Sequence, residues 1–192
     1  MNLPDQFHPQ LQKKLLEARM DSTAQYRLRP DAVESEDSVN AWDPTHCLEV
    51  NGSSINEISP LLGAERVVRR APTLLDGRSQ FAISLWRLPE GKRLWDERPG
   101  GWPVHFVQAA GSAERMMIEV ALDDVSGDWH LYRLGHAESG EGEIEVAEIE
   151  WGERTDHVAA NEMFDATEAG DIFWHYYENG NVPSKFQLNE IE

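Results

Sequence analysis

The sequence is poor in cysteine and has no long apolar run. Cys47 is the single cysteine among 192 residues, so no disulfide can form within the chain. Secreted domains often depend on disulfides, and one thiol therefore favours a reducing compartment. The N-terminus, Met1 to Gln6, has neither the cationic nor the apolar segment of a signal peptide. No window approaches the roughly 18 apolar residues of a membrane-spanning helix. We therefore expect a cytoplasmic protein.

Cations are also scarce. The chain has 17 Lys and Arg against 35 Asp and Glu, for a formal net charge of −18. Binding to nucleic acid or to anionic lipid depends on clustered cations, so the composition argues against both partners. Residues 122–192 hold 18 of the acidic side chains and only 3 of the basic ones, together with nine aromatic residues. Disordered acidic tails lack aromatic residues, so this stretch is predicted to be a folded acidic surface.

The N-terminal quarter differs from the rest. Leucines at helical spacing predict a short amphipathic helix over residues 8–20, and the polar, aperiodic residues 21–45 indicate a linker. We therefore predict an appendage over residues 1–45 and a single α+β domain over residues 46–192.

Strands dominate the predicted domain. Period-two alternation indicates strands at 80–88, 104–109, 115–122, 128–134 and 143–151, with shorter ones at 47–50 and 66–69. Short links between the strands at 115–122, 128–134 and 143–151 predict an antiparallel meander. Within 143–151 the apolar residues change parity, which predicts a β-bulge near Val146 to Glu148.

A change to helical spacing follows. Residues 156–178 are predicted to be helical from an N-cap at Thr155 or Asp156, with an interruption at Gly170, and Gly180 and Pro183 end the helix. A final strand is predicted over 186–191. The fold class is thus α+β: a mostly antiparallel sheet, with an N-terminal helix and a C-terminal helical segment packed on it.

The sequence contains no recognisable catalytic motif. The seven histidines show none of the spacings that place two metal ligands on one helical face, and there is no phosphate-binding loop. We expect no metal, no cofactor and no catalytic residue, and we interpret Cys47 as a small buried side chain. Glu119 is expected on the solvent side of its strand. The alternative is an enzyme or small-ligand pocket under the 89–103 loop that uses His130, His136 or Glu119.

Acidic and aromatic residues give the clearest signal for binding. The turn-rich 89–103 loop carries two tryptophans among cations, which is typical of binding anchors, although both indoles could instead fold back onto the sheet. A concentrated negative surface favours capture of a cationic protein, although solubility alone is an alternative explanation. The predicted partner-binding residues are Asp123, Asp124, Asp128, Glu138, Glu141, Glu143, Glu145, Glu148, Glu150, Trp95, Trp102 and Trp129.

The C-terminal segment carries a resemblance. The run from Phe164 to Pro183, followed by Phe186-Gln187-Leu188, resembles the closing helix and strand of immunity proteins that neutralise bacterial polymorphic toxins. The resemblance implies stoichiometric binding that occludes the active site of a toxin domain, either a nuclease or an NAD-consuming enzyme. The hypothesis is therefore a non-enzymatic inhibitor of a basic toxin domain. A DNA-mimicking inhibitor is a further alternative.

Overall fold

A computed structural model describes residues 43–96, 105–124, 126–137 and 146–191, so the predicted N-terminal helix lies outside the described residues. The strands are β1 (His46–Val50), β2 (Ser54–Glu57), β3 (Ala82–Arg87), β4 (Phe106–Gly111), β5 (Met116–Asp123), β6 (Trp129–His136), β7 (Val146–Trp151), β8 (Arg154–Ala159) and β9 (Phe186–Glu190). The α-helices are α1 (Ala64–Arg70) and α2 (Ala166–Asn179), and short 3-10 segments span Pro60–Leu62, Ala71–Leu74 and Ala160–Glu162. Within the described residues, no helix has the length and apolar character needed to cross a membrane.

Over the described residues, the main sheet has seven strands in the order β2-β1-β3-β4-β5-β6-β9, and every neighbouring pair is antiparallel. The predicted α+β class with a mostly antiparallel sheet is therefore confirmed. β3 to β6 form a consecutive meander. β2, which the sequence did not indicate, pairs with β1 through a tight turn at Asn51, where φ is +53°.

The predicted place of β7 in the meander is wrong. β7 pairs with β8 in a separate two-stranded sheet, and β9 occupies the place beside β6. The buried side of β7 (Ala147, Ile149 and Trp151) packs with Ala110 and Met117 of the main sheet. β7 thus lies over the sheet as a second layer instead of extending it. Its pairing with β8 is unbroken from Val146 to Trp151, so no bulge occurs there.

The C-terminal helix begins later than its period predicts. Residues 154–159 form β8, because β7 supplies their backbone hydrogen-bond partners, and α2 starts after Asp165. The Asp165 side chain accepts hydrogen bonds from the backbone N–H groups of Thr167 and Glu168, as an N-cap does. The predicted end is confirmed, since Gly180 adopts a left-handed conformation with φ of 69°. The strand predicted after it is β9.

The predicted strand at 66–69 is wrong, because these residues belong to α1. Ala64, Val67, Val68 and Ala71 follow helical spacing and all contact the main core. Helices α1 and α2 pack against each other and cover one face of the sheet. The deepest side chains of this core are listed here: Val68, Ile83, Leu85, Val107, Ile118, Leu134, Ile172 and Phe173.

Gly170 is not a helix interruption but the point where the two helices meet. A Cβ atom at Gly170 would lie 2.6 Å from the backbone oxygen of Arg69, which is closer than van der Waals contact permits. On the same side, the Arg69 guanidinium forms an ion pair with Asp171. The close approach of the backbones therefore requires glycine at this position.

We predict that Gly170→Ala destabilises the protein, although alanine in an exposed helix interior is normally better than glycine by about 1 kcal/mol. Overpacking against the Arg69 carbonyl should lower the free energy of unfolding by about 1–3 kcal/mol. Urea unfolding measures this change, with Thr167→Ala on the exposed side of α2 as the control. A stabilised Gly170→Ala variant would contradict the close packing.

Candidate binding site

The structure divides the predicted acidic residues between opposite ends of β5. Asp123 ends β5, and Asp124 and Asp128 lie in the turn that leads to β6. Glu148 and Glu150 lie on β7, which packs near Met117 at the start of β5. At about 3.3 Å per residue, roughly 20 Å of strand separates the two groups. Five further predicted residues lie outside the described residues: Trp102, Glu138, Glu141, Glu143 and Glu145.

Trp95 lies at the same end of the sheet as Asp123. β2 and β3 both run toward this end, and the Leu94 backbone N–H donates to the Glu57 carboxylate at the end of β2 at 2.7 Å. We call the set Trp95, Asp123, Asp124, Asp128 and Trp129 the acidic end.

The indole of Trp95 is held outward and is 62% exposed. The Arg93 guanidinium lies over this ring at 4.4 Å from its centroid, a cation–π contact. Glu57 binds the same guanidinium through two hydrogen bonds, at 3.0 Å from Nε and 2.6 Å from Nη2. The Glu57 hydrogen bond also raises the pKa of Arg93. Of the two alternatives for this loop, Trp95 follows the exposed one, and Arg93 holds its ring in position.

The three aspartates of the acidic end differ in the hydrogen bonds that their side chains form. Asp124 accepts the backbone N–H groups of Ser126 at 2.7 Å and Asp128 at 3.0 Å, so its carboxylate shapes the turn. These bonds, the Asp128 amide first, lower the pKa of Asp124. Asp123 contacts the exposed His105 ring at 2.7 Å. The side chain of Asp128 is exposed.

Trp129 is only partly exposed, because its ring packs against an apolar cluster that includes Phe106, Ala121 and Leu131. It fits a supporting surface better than an inserted anchor.

At the far end, Glu148 and Glu150 line a groove of about 640 Å³ together with Arg78 and Arg115. The mixed charges of this groove weaken the negative field there.

Many other carboxylates of the C-terminal stretch have partners inside the protein. Glu168 contacts the ring of His136 at 2.9 Å, and Glu162 accepts a hydrogen bond from Asn189 at 2.7 Å. Together with the Asp165 N-cap and the Asp171 ion pair, these contacts mean that part of the acidic excess bonds to groups within the protein. The spacing of Asp165 and Glu168 is a helix-start signal that could have been found in the sequence.

A polar row, buried at Glu49, Ser84, Gln108 and Glu119, crosses the second face of the sheet, and the sequence did not predict it. The strand registers place its members side by side, in the order Glu49, Ser84, Gln108, Glu119, Arg133 and Asn189. The row separates two apolar clusters, one around Met117 and the other around Trp86 and Phe106. Strand alternation alone cannot reveal that both faces of a sheet are covered.

The expectation that Glu119 faces solvent is wrong, since it is 1% exposed. Its Oε1 accepts a hydrogen bond from Arg133 Nη2 at 2.9 Å, and its Oε2 accepts one from the Gln108 side-chain amide at 2.7 Å. A buried carboxylate requires such partners, because burial without them is strongly unfavourable.

We predict that Glu119→Ala lowers the free energy of unfolding by about 3–5 kcal/mol, because it leaves the Arg133 charge without its buried partner. The matched control is Glu148→Ala, a strand glutamate whose side chain is 68% exposed, which should stay within about 0.5 kcal/mol of the wild type. Urea unfolding of both variants gives the comparison. An equal loss of unfolding free energy in both variants would contradict a stabilising role for the Glu119–Arg133 pair.

The residues of the predicted enzyme pocket do not converge. Glu119 projects from the face opposite to His130 and His136, since it shares its row with Arg133. His130 contacts Glu190 at 2.8 Å, while His136 stacks on Phe164 and lies six residues along the same strand. Among the described residues, no group of three or more His, Cys, Asp or Glu side chains is arranged to hold a metal ion.

A cleft of about 410 Å³ opens beside the start of β1 on the helix-covered face. Its lining consists of Thr45, His46, Arg87, Tyr176, Tyr177, Glu178 and Gly180. The Thr45 hydroxyl lies 2.9 Å from His46 Nδ1, and the rings of His46 and Tyr177 are 4.2 Å apart. Burial, with a smaller contribution from the Arg87 charge, lowers the pKa of His46 to about 4.

This shift predicts a pH-dependent stability. The folded pKa of His46 lies below its ordinary value of 6.5, so the unfolded chain takes up the proton first as the pH falls. Stability from neutral His46 is complete above pH 6.5 and is lost toward pH 4, by about 2–3 kcal/mol between pH 7.5 and 4.5. His46→Asn should remove this loss. Urea unfolding of both proteins across the range measures it, and parallel curves would contradict the assignment.

Comparison with other proteins gives no relative. No family model matches the chain, and no curated protein and no solved structure shows significant similarity to it.

Proposed function

We propose that the chain is a non-enzymatic inhibitor that binds and neutralises a basic protein, a toxin domain, through the acidic end. The observation that supports this most directly is Trp95, a largely exposed indole fixed by Arg93 and Glu57 at the same end of the sheet as Asp123 and Asp128. A fixed aromatic anchor at the same end of the sheet as exposed carboxylates suits a cationic protein surface.

The charges and the anchor have different roles in this proposal. Carboxylates at the rim accelerate the encounter and reject acidic competitors, and they act through a screened, salt-dependent field. The indole supplies the buried area that slows dissociation. The identity of the partner as a toxin rests on the resemblance of the C-terminal helix and strand to immunity proteins.

The test begins with the full chain immobilised and exposed to extract from its native host at low and high salt. We expect one basic protein to be retained and to be released as salt rises, and its purified form to be titrated by calorimetry. Failure to recover a basic protein, or an affinity insensitive to salt, would contradict the proposal.

We predict that Trp95→Ala weakens this binding by about 2 kcal/mol or more, roughly thirtyfold in Kd. Asp123→Asn combined with Asp128→Asn should lower the association rate and flatten the salt dependence. Asp124 is left intact because it holds its turn. The matched control is Glu148→Gln combined with Glu150→Gln at the far end of β5. An equal loss of association rate in both double variants would contradict the proposal that the acidic end is the interface.

Inhibition of the partner can be measured separately from binding, as the rescue of bacterial growth. When the recovered partner is produced in a bacterial host, co-expression of the wild-type chain should restore growth, and Trp95→Ala should not restore it. Rescue that is unaffected by Trp95→Ala would contradict inhibition through this surface.

A further inference from the structure

One apolar row on the second face of the sheet is buried by more than the described elements supply. It crosses the strands near the acidic end, two residues along each strand from the polar row. Its five side chains are at most 2% exposed. They are listed here in strand order, from β1 to β6: Cys47, Trp86, Phe106, Ala121 and Leu131. We call this set the end row.

The described elements form only a small part of the layer above the end row. The hairpin of β7 and β8 packs on the row of Ala110 and Met117, about 13 Å away along β5. Within the described ranges, the other hydrophobic side chains clustered with the end row belong to strands of the sheet or directly adjoin them, except for Leu94. Side chains of one sheet face do not form a second layer above it. The burial of the end row therefore requires a further layer.

The described chain begins beside the end row. The Leu88 backbone N–H donates to the Thr45 carbonyl at 2.8 Å, which ties the start of β1 to the end of β3. Besides its hydrogen bond with Glu57, the charge of Asp43 raises the pKa of Arg93, so Asp43 lies near the loop that carries Trp95. The residues that precede Asp43 therefore join the domain at this end of the sheet.

Residues 8–20, for which the sequence predicts an amphipathic helix, match the end row in length. A helix of 13 residues is about 20 Å long, and four strand spacings from β1 to β6 amount to about 19 Å. A chain as long as residues 21–42 has a root-mean-square reach of roughly 26 Å, which is enough to place the segment anywhere on the row. Its large apolar side chains are Leu11, Leu15, Leu16 and Met20.

Charge favours the same placement. Residues 8–20 carry three cations and one acidic side chain, in a chain whose net charge is −18. Asp123 of the acidic end lies on the second face, because it follows Ala121 by two residues on β5. When the leucines pack on the end row, the cations therefore lie close to carboxylates. These cations are Lys13, Lys14 and Arg19.

The loop at 97–104 accounts for less of the cover. It connects the Leu94 region, which is bonded to the end of β2, with β4, so its two ends lie on the β2 side of the row. Its eight residues include two large apolar side chains, Trp102 and Val104. Ala121 and Leu131 are both 0% exposed on β5 and β6, beyond this connection.

We propose that residues 8–20 bind across the end row of the same chain, with their leucines on its apolar side chains and their cations toward the acidic end. The segment forms the second cover of this face, beside the hairpin of β7 and β8, and borders the surface that carries Asp123. The contact involves no other molecule, so the proposed inhibition can fail while this inference stands.

The single cysteine reports on this contact, because Cys47 belongs to the end row. The experiment measures how fast an aromatic disulfide reagent modifies Cys47 in the full chain without denaturant. Leu15→Ser combined with Leu16→Ser should raise the rate about tenfold or more, since lost leucine burial favours local opening. The matched control, Lys13→Ser combined with Glu17→Ser, keeps the net charge and should leave the rate unchanged. Equal rates in all three proteins, or an equal rise in both variants, overturn the proposal.

A second measurement uses the wild-type chain, so it does not depend on the folding of a variant. A carbodiimide joins lysine amines to nearby carboxylates, and mass spectrometry identifies the joined peptides. We expect Lys13 or Lys14 to be joined to an aspartate of the acidic end. Mixing chains of natural and heavy nitrogen shows whether a joined pair comes from one chain or from two. Links only between two chains, or no link from the segment to the acidic end, overturn the proposal.

Discussion

The structure depends on covering both faces of its central strands. Residues 106–111 of β4 and 116–121 of β5 are buried without interruption, so side chains on both faces are removed from water. Helices α1 and α2 cover one face. On the other, the hairpin of β7 and β8 covers the cluster around Met117. This requirement explains why β7 leaves the meander, since apolar area on the second face needs a layer above it.

The buried polar row is the second consequence of this arrangement. Glu119 and Arg133 are paired across β5 and β6, with Gln108 on the next strand, between two apolar clusters of the same face. A register slip of one residue would turn these charges into the helix-packed core. The row is therefore suited to specifying strand register, a role that buried ion pairs have in some proteins.

The fold divides the carboxylates of the C-terminal stretch into those that bond to groups within the protein and those that are exposed to solvent. Carboxylates near α2 cap the helix or pair with His136 and Arg69, and Asp124 holds its own turn, while Asp123 and Asp128 are exposed. The net charge of the C-terminal stretch consequently overstates the acidic surface available to a partner. The cleft beside β1 lies at the same end of the sheet, on the helix-covered face.

The sequence alone was sufficient for the local elements. Strands β3 to β6 follow from alternation, and the end of α2 at Gly180 follows from turn chemistry. These features depend on neighbours in the chain, which a sequence displays directly.

Tertiary contacts decided the rest. Residues 154–159 are a strand because β7 pairs with them, Glu119 is buried because a second layer covers its face, and Gly170 is required because Arg69 approaches it. The cleft likewise joins Thr45, Arg87 and Tyr176, which are far apart in the chain. Each of these features depends on which distant part of the chain packs against a residue. A local sequence pattern does not contain that information.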